Sequence, residues 1–221
     1  MPFYPQKPSF FNNFSYPLFL GVGILLIYGY FCYLMLEITL QYIPINFDVA
    51  FLRIKQDYIQ LAHYRIAFFV HVFSSIFVLL AGFTQFSKYI RKHYYFIHKW
   101  SGWLYGGVVI LLAAPSGFLI GVYANGGISS QIAFCLLGIL WFLFTVLAIF
   151  KAIKKDIVAH RRWIIRSFAL TLSAITLRAW KYILVALFHP RPMDVYIIVA
   201  WLGWVLNLII AEFFLFYSSK K

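Results

Sequence analysis

Long apolar stretches dominate the chain, and short polar or cationic segments separate them. A membrane-spanning helix needs about 20 mostly apolar residues. Six stretches meet that length, at roughly 17–38, 65–86, 99–123, 131–150, 163–188 and 195–217. The pattern predicts an all-α integral membrane protein, in which a six-helix bundle forms a single transmembrane domain over residues 1–221.

The composition supports this fold class and limits the partners. Hydrophobic residues make up 63% of the chain and charged residues only 11%, whereas soluble domains are about half apolar and a quarter charged. The net charge of +13 comes mainly from short loops between apolar stretches, where membrane topology accounts for it. We therefore expect the lipid bilayer as a partner and no binding to nucleic acid.

Most of the loop cations fall on one side of the predicted bundle. They are Lys7, Lys88, Arg91, Lys92, Lys99, Lys151, Lys154, Lys155, Arg161, Arg162, Lys220 and Lys221. Because cytoplasmic loops carry the excess of lysine and arginine, this side and both termini are predicted to be cytoplasmic. The predicted location is the bacterial inner (cytoplasmic) membrane, with a multi-pass topology.

The longest connection, roughly 39–64, is predicted to lie outside. Its apolar residues recur at spacings of three and four, the period of a helix with one apolar face: Phe47, Phe51, Ile54, Tyr58 and Leu61. The pattern predicts an amphipathic outer-surface helix between helices 1 and 2. This helix would act either as a structural cap or as a binding element for a partner.

Two loops lead into the next apolar stretch in the same way. Lys88–Trp100 and Lys151–Trp163 each cross a cationic segment, reach a histidine and end at a tryptophan. His98 and His160 therefore begin the third and fifth predicted helices, which run in the same direction and share a depth. Two facing imidazoles can ligate a haem iron. Alternatively, both histidines belong to an interfacial belt with the tryptophans.

Charged residues near these histidines extend the hypothesis. Cations that could hold haem propionates are Lys99, Arg161, Arg162 and Arg166. Glu212 falls at a similar depth on the sixth helix, so it could complete a metal site with His98 and His160 or pair with Arg166. The predicted cofactor is haem b, otherwise a transition metal or none.

Three further polar residues fall inside predicted spans: His71, Arg178 and Asn207. A charge near the bilayer centre costs about 2.5–3.5 kcal/mol, and arginine does not lose its proton. Arg178 therefore needs acceptors, for which the candidates are Glu37, helix carbonyls, or an anionic or quinone-like ligand. These residues also allow a different function, a transporter or assembly subunit with a polar path.

A family resemblance runs from His71 to Glu212. It is carried in order by His71 with Gln85-Phe86, HKWSGWLYGG, Ser116-Gly117, HRRWIIRSFALTLSAITLR and WLGWVLNLIIAE. They resemble an uncharacterised bacterial family of predicted membrane proteins, domain of unknown function 2306. That family implies no established activity, but the resemblance adds Gln85 and Tyr105 to the candidate buried polar residues.

The chain is more loosely similar to the ascorbate-reducible di-haem b-type cytochromes. Those proteins hold two haems in a four-helix core, with histidines on helices two to five. Here the fourth predicted helix has no histidine, and Ala133 stands at the counterpart of His71 when His98 is aligned with His160. The resemblance therefore implies at most one haem.

The leading hypothesis is a membrane b-type haem protein in electron transfer, working with a quinone or a partner oxidoreductase. One alternative is an enzyme with a non-haem metal or an anionic ligand at His98, His160 and Glu212. The other is the polar path through His71, Arg178 and Asn207. The sequence leaves catalysis, substrate and oligomeric state open.

Overall fold

The computed structural model describes residues 18–219, which are helical throughout their regular elements and include no β-strand. The helices are α1 (Leu18–Leu40), α2 (Gln56–Ile59, after a 3₁₀ turn at Ala50–Ile54), α3 (Ala62–Gln85), α4 (Lys88–His93), α5 (Tyr95–Val108), α6 (Ala114–Val122), α7 (Gly127–Ile153), α8 (Ile157–Thr171), α9 (Ser173–Phe188) and α10 (Pro192–Ser219). A π-helical segment, Val109–Ala113, joins α5 to α6. The predicted all-α class is confirmed.

Within residues 18–219, five spans are each long and apolar enough to cross a membrane, and α8 with α9 makes a sixth if the bent pair counts as one span. They match the predicted spans, and the largest shift is at α8, which begins at Ile157 instead of 163. The predicted start at position 17 lies outside the described residues, as do Lys7, Lys220 and Lys221. The cytoplasmic orientation of the termini stays a prediction.

Four spans form a central ring. The span α5–α6 packs between α3 and α7, α7 packs on α8, and α8 closes the ring against α3. Helix α1 lies against α3 and α9, and α10 lies against α7, α8 and α9. In this ring α5 and α8 lie diagonally opposite each other, so their inward faces are directed toward each other across the bundle.

The fifth span bends by 42° between α8 and α9. The hydroxyls beside the bend bond back to the helix: Thr171 Oγ1 donates to Ser167 O at 3.2 Å and Thr176 Oγ1 to Leu172 O at 3.1 Å. Such back-bonding competes with the helical ladder and bends helices. Thr176 Oγ1 also lies 2.5 Å from Gly203 O on α10, which holds the bent region against that helix.

Residues 41–61, here called the cap segment, do not form the single amphipathic helix that the periodicity predicts. A short 3₁₀ turn and a one-turn helix take its place. Lys55 is only 1% exposed, whereas Ile54 is 59% exposed, so the buried face differs from the predicted one. The reason is tertiary, because Lys55 Nζ finds acceptors on the turn after α6. Leu52 and Ile59 pack with Tyr64 at the start of α3, so the segment covers this end of the bundle.

The two ends of the bundle are named by these features. The capped end holds the cap segment and residues 123–126 and 189–191. The paired-histidine end holds residues 86–94 and 154–156, next to His98 and His160.

Candidate functional site

A buried hydrogen-bonded cluster joins α5, α7 and α8 in the middle of the bundle. Tyr105 Oη lies 2.7 Å from Ser167 Oγ and 2.9 Å from Thr171 Oγ1. Trp141 Nε1 donates to Thr171 Oγ1 at 3.0 Å, and Thr145 Oγ1 lies 2.7 Å from Ser167 Oγ. All five side chains are buried. The Tyr105–Ser167 contact therefore fixes the separation of the diagonal helices α5 and α8.

His98 and His160 occupy matching positions relative to that contact. His98 precedes Tyr105 by seven residues on α5, and His160 precedes Ser167 by seven on α8. Seven residues are close to two turns at 3.6 residues per turn, so each pair shares a helix face. The two rings also interact electrostatically. The register thus places His98 and His160 on the faces of α5 and α8 that carry Tyr105 and Ser167.

The two rings differ in how they are held. His160 Nδ1 lies 2.8 Å from Ala148 O, so Nδ1 donates its proton and Nε2 keeps its lone pair. His98 Nδ1 is buried and makes no hydrogen bond to any of residues 18–219, although the Thr84 carbonyl lies near the ring. A carbonyl that fixes the tautomer of a histidine is the usual support of a metal-ligating imidazole.

Gln85 positions the start of α5 rather than either ring. Its Nε2 donates to His98 O at 2.9 Å and to Ser101 Oγ at 2.6 Å. Gly102 lies directly against it, because a Cβ there would be 3.2 Å from Gln85 Oε1. The side chain thereby ties the end of α3 to the backbone that carries His98.

The cations at this end fall into two groups. Arg91 acts electrostatically on both His98 and Arg161, so these residues share one neighbourhood at the mouth of the bundle. Arg161 is half-buried, whereas Arg91, Lys99 and Arg162 are exposed. Arg91 belongs to the site although sequence reasoning left it out of the candidate ligands, since α4 brings it back over α5.

Glu212 is engaged by Arg166 in a two-pronged ion pair. Arg166 Nη2 lies 2.8 Å from Glu212 Oε2, and Arg166 Nε bonds to Oε1. The guanidinium also lies 4.8 Å from the centre of the Trp163 ring. Among the described residues, no group of three or more His, Cys, Asp or Glu side chains could hold a metal ion. The three-ligand site with His98, His160 and Glu212 is therefore not assembled.

Arg178 is a cation inside the membrane-spanning part of the capped half. It is half-buried on α9, ten residues before Phe188, which is about 15 Å along the helix axis at 1.5 Å per residue. Its Nη1 donates to Ala174 O at 2.6 Å. The proposed partner Glu37 instead accepts from Tyr33 Oη at 2.6 Å.

No acidic side chain compensates Arg178. All six of the chain's acidic residues are described, and none lies within 4.0 Å of this guanidinium; they are Glu37, Asp48, Asp57, Asp156, Asp194 and Glu212. An uncompensated charge deep in a bilayer costs about 2.5–3.5 kcal/mol. Arg178 therefore needs an acceptor that the acidic residues do not supply.

His71 and Tyr42 are electrostatic neighbours of Arg178. His71 Nδ1 lies 2.8 Å from Ala113 O in the π-helical segment. Gly117 makes room for this ring, because a Cβ there would lie 2.9 Å from His71 Cε1. The neutral His71 ring thus donates through Nδ1 and keeps an acceptor at Nε2.

Asn207 serves helix packing. Its Nδ2 donates to Ala169 O and Gly203 O, each at 3.1 Å, and to Thr176 Oγ1 at 2.9 Å. These bonds fasten α10 to the bend between α8 and α9. The structure brings His71 and Arg178 together, while the Asn207 amide nitrogen is used elsewhere.

Lys55 lies outside the apolar face predicted for residues 39–64, and the structure nevertheless buries it. Its Nζ donates to Tyr123 O and, at 2.5 Å, to Asn125 Oδ1, and it lies 5.0 Å from the centre of the Tyr58 ring. Burial lowers the pKa of Lys55 to about 8. Its acceptors lie 68 and 70 residues away along the chain, so no local pattern signals them.

The comparisons with known proteins settle the family. The family described as predicted membrane protein (DUF2306) matches residues 68–215. The chain belongs to this family. The matched range includes His98, His160 and Arg178 and excludes the cap segment. No curated protein and no solved structure matches the chain. Membership establishes a multi-pass membrane protein but neither an activity nor a relation to the di-haem cytochromes.

Proposed function

We propose that the protein binds one haem b between His98 and His160 and takes part in electron transfer in the membrane. The observation that carries this proposal is the register of the two histidines. Each precedes by seven residues a member of the Tyr105–Ser167 contact across the bundle diagonal. When bound, haem would supply one-electron chemistry at this depth.

The state of the ring nitrogens supports this ligand pair. His160 donates through Nδ1 to Ala148 O, which leaves Nε2 as the ligating atom. His98 has a buried Nδ1 without a partner among the described residues. An unsatisfied buried polar atom costs about 1–3 kcal/mol, and this cost would fall if a bound group turned or engaged the ring.

The cations at the mouth give the proposal its second support. Haem propionates are anionic, and Arg91 and Arg161 share the neighbourhood of His98. Arg91, Lys99 and Arg162 are exposed, so solvent screening would weaken their attraction for the propionates relative to that of the half-buried Arg161. Arg166 is less suited to this role because Glu212 already engages its guanidinium.

The capped half favours a single haem. Ala133 is fully buried on α7 and stands at the counterpart of His71 when His98 is aligned with His160, so that position supplies no second imidazole. Electrons would therefore enter and leave near the paired-histidine end. A quinone or a partner oxidoreductase would be the source or acceptor.

The test is an absorption spectrum of protein purified from cells supplied with a haem precursor. We expect a Soret band, low-spin bands on reduction and one haem per chain, all lost in His98→Ala and in His160→Ala. His93→Ala is the matched control, because His93 lies five residues before His98 and is exposed. A haem band that survives both substitutions, or a stoichiometric non-haem metal without haem, would overturn the proposal.

A further inference from the structure

The capped half contains polar atoms whose partners the described residues do not supply. Tyr64 Oη and Ser75 Oγ are buried without a hydrogen bond to residues 18–219. Tyr64, His71 and Ser75 are spaced seven and four residues apart on α3, so they share one helix face. Buried polar groups are nearly always bonded to protein, water or a ligand. A polar face thus runs along α3 toward the middle of the bundle.

Arg178 adds a permanent positive charge to this face. It interacts electrostatically with His71, and its only side-chain hydrogen bond within residues 18–219 is to Ala174 O. A guanidinium has five N–H donors, so most of its capacity stays unused by this part of the chain. Water would satisfy the hydroxyls but would not neutralise the charge.

We propose that Arg178, His71 and Ser75 bind a phosphate group that still carries a P–O–H. The guanidinium fork matches two phosphate oxygens, and the Ser75 hydroxyl donates to a third. His71 discriminates among anions, because its neutral ring offers an acceptor at Nε2. A monoester phosphate or inorganic phosphate donates a proton there, whereas a carboxylate or a phosphodiester does not.

The source of the phosphate is either the lipid or the aqueous phase. Tyr182, one turn beyond Arg178 on α9, interacts with it electrostatically and is 73% exposed. This route from the surface of α9 suits a lipid such as phosphatidic acid. Free phosphate would have to enter from the aqueous phase at the capped end, which the cap segment covers.

The experiment measures thermal unfolding of the full chain in a neutral detergent. Four probes are added separately: inorganic phosphate, phosphatidic acid, phosphatidylglycerol and oleate. We expect saturable stabilisation by phosphatidic acid, by inorganic phosphate, or by both, and the active probe identifies the source. No stabilisation, or equal stabilisation by phosphatidylglycerol or oleate, would overturn the phosphate-monoester site.

Variants separate binding from folding. Arg178→Leu should abolish the response and raise the unfolding temperature of the ligand-free protein, because it removes an uncompensated charge. Lys181→Leu is the matched control: it removes an exposed cation three residues along the same helix and should leave the response unchanged. Ser75→Ala should weaken binding about tenfold, equivalent to one lost hydrogen bond of about 1.4 kcal/mol.

This inference is independent of the haem proposal. Arg178→Leu should leave the absorption spectrum unchanged, and His98→Ala should leave the phosphate response unchanged. A phosphate response that persists in Arg178→Leu would overturn the site whatever the spectrum shows.

Discussion

The two ends of the bundle differ in the polar groups that they hold inside, although the capped end also carries the ion pairs Arg53–Asp48 and Arg191–Asp194 at its surface. At the paired-histidine end Arg166 is paired with Glu212 and Lys151 with Asp156, while His98 and His160 keep unengaged ring nitrogens. At the capped end Lys55 and Arg178 are held by carbonyl, amide and aromatic groups without an acidic side chain within 4.0 Å. The paired-histidine end therefore places two imidazoles with unengaged ring nitrogens inside the bundle, whereas the capped half holds two cations there without an acidic partner.

This difference separates two kinds of chemistry in one small bundle. Paired neutral imidazoles suit a metal centre, whereas an uncompensated guanidinium suits an anion. The cluster around Tyr105 lies between them and links α5, α7 and α8.

The largest expected effect comes from removing the centre of that cluster with Tyr105→Ala. Loss of a buried aromatic side chain costs about 3–5 kcal/mol, and α5 and α8 lose the contact that sets their separation. We expect a marked drop in the denaturant midpoint, together with loss of the haem spectrum. Tyr105→Phe should cost about 1–2 kcal/mol, since it removes only the hydroxyl.

Tyr182→Ala is the control for this experiment, because it removes an exposed tyrosine from α9. If Tyr105→Ala kept full haem content with only lowered stability, the spacing of α5 and α8 would not depend on the cluster. The link between the middle and the paired-histidine end would then be wrong.

The next effect concerns Lys55 and depends on pH. Burial lowers its pKa from 10.5 to about 8, so between these values the unfolded chain holds a proton that the folded chain has released. The free energy of unfolding should therefore rise as the pH increases from about 8 to 10.5. At 1.36 kcal/mol per pH unit the gain is at most about 3 kcal/mol.

Lys55→Met provides the matched comparison, because it keeps a long apolar side chain without the charge. Denaturant unfolding of both proteins across this pH range isolates the lysine from other titrating groups. Their difference in stability should change with pH only above about 8. A difference in unfolding free energy that did not change with pH would mean that Lys55 is not buried as a cation. The contrast between the two ends would then rest on Arg178 alone.

The outcome for Lys55 shows where sequence reasoning reaches its limit. The predicted spans follow from uninterrupted hydropathy, which is a local property; five agree with the structure, and the sixth agrees if the bent pair α8–α9 counts as one span. The burial of Lys55 depends on Tyr123 O and Asn125, which only the folded turn brings close. Likewise the bend at Leu172 lies beside Thr171 and Thr176. In the sequence these two residues look like ordinary small residues of a membrane helix.

The candidate site divides in the same way. The register of His98 and His160 follows from the two similar loops, and pairing of Arg166 with Glu212 was one of the two alternatives that depth allowed. Tyr105 came only from the family resemblance. Its partners Ser167 and Thr171 were not predicted, because the sequence does not show which neighbouring helix a hydroxyl group in an apolar span contacts.

A smaller effect is expected from Glu212→Gln. The carboxylate is half-exposed and pairs with a more buried guanidinium, so solvent screening limits the loss to about 1 kcal/mol. Because Arg166 holds Glu212, the haem spectrum should not change. A lost or shifted spectrum in Glu212→Gln, with Arg166→Leu leaving it intact, would make Glu212 part of the centre and restore the three-ligand alternative.

The smallest effect is expected at Asp156, which caps α8 four residues before His160. Its Oδ1 accepts from Ala159 N at 3.1 Å and its Oδ2 from Lys151 Nζ at 3.2 Å, and these bonds lower the pKa of this exposed carboxyl below 3.8. The contribution of Asp156 to stability is present above pH 3.8 and is lost as the pH falls through the lower pKa of the folded state.

Asp156→Ser keeps a capping oxygen and removes the ion pair. Asp156→Ala should therefore lower the unfolding temperature slightly more than Asp156→Ser, measured in parallel at pH 7. Equal values would show that the cap contributes nothing, and His160 would then depend on Ala148 and the Tyr105 cluster alone for its position.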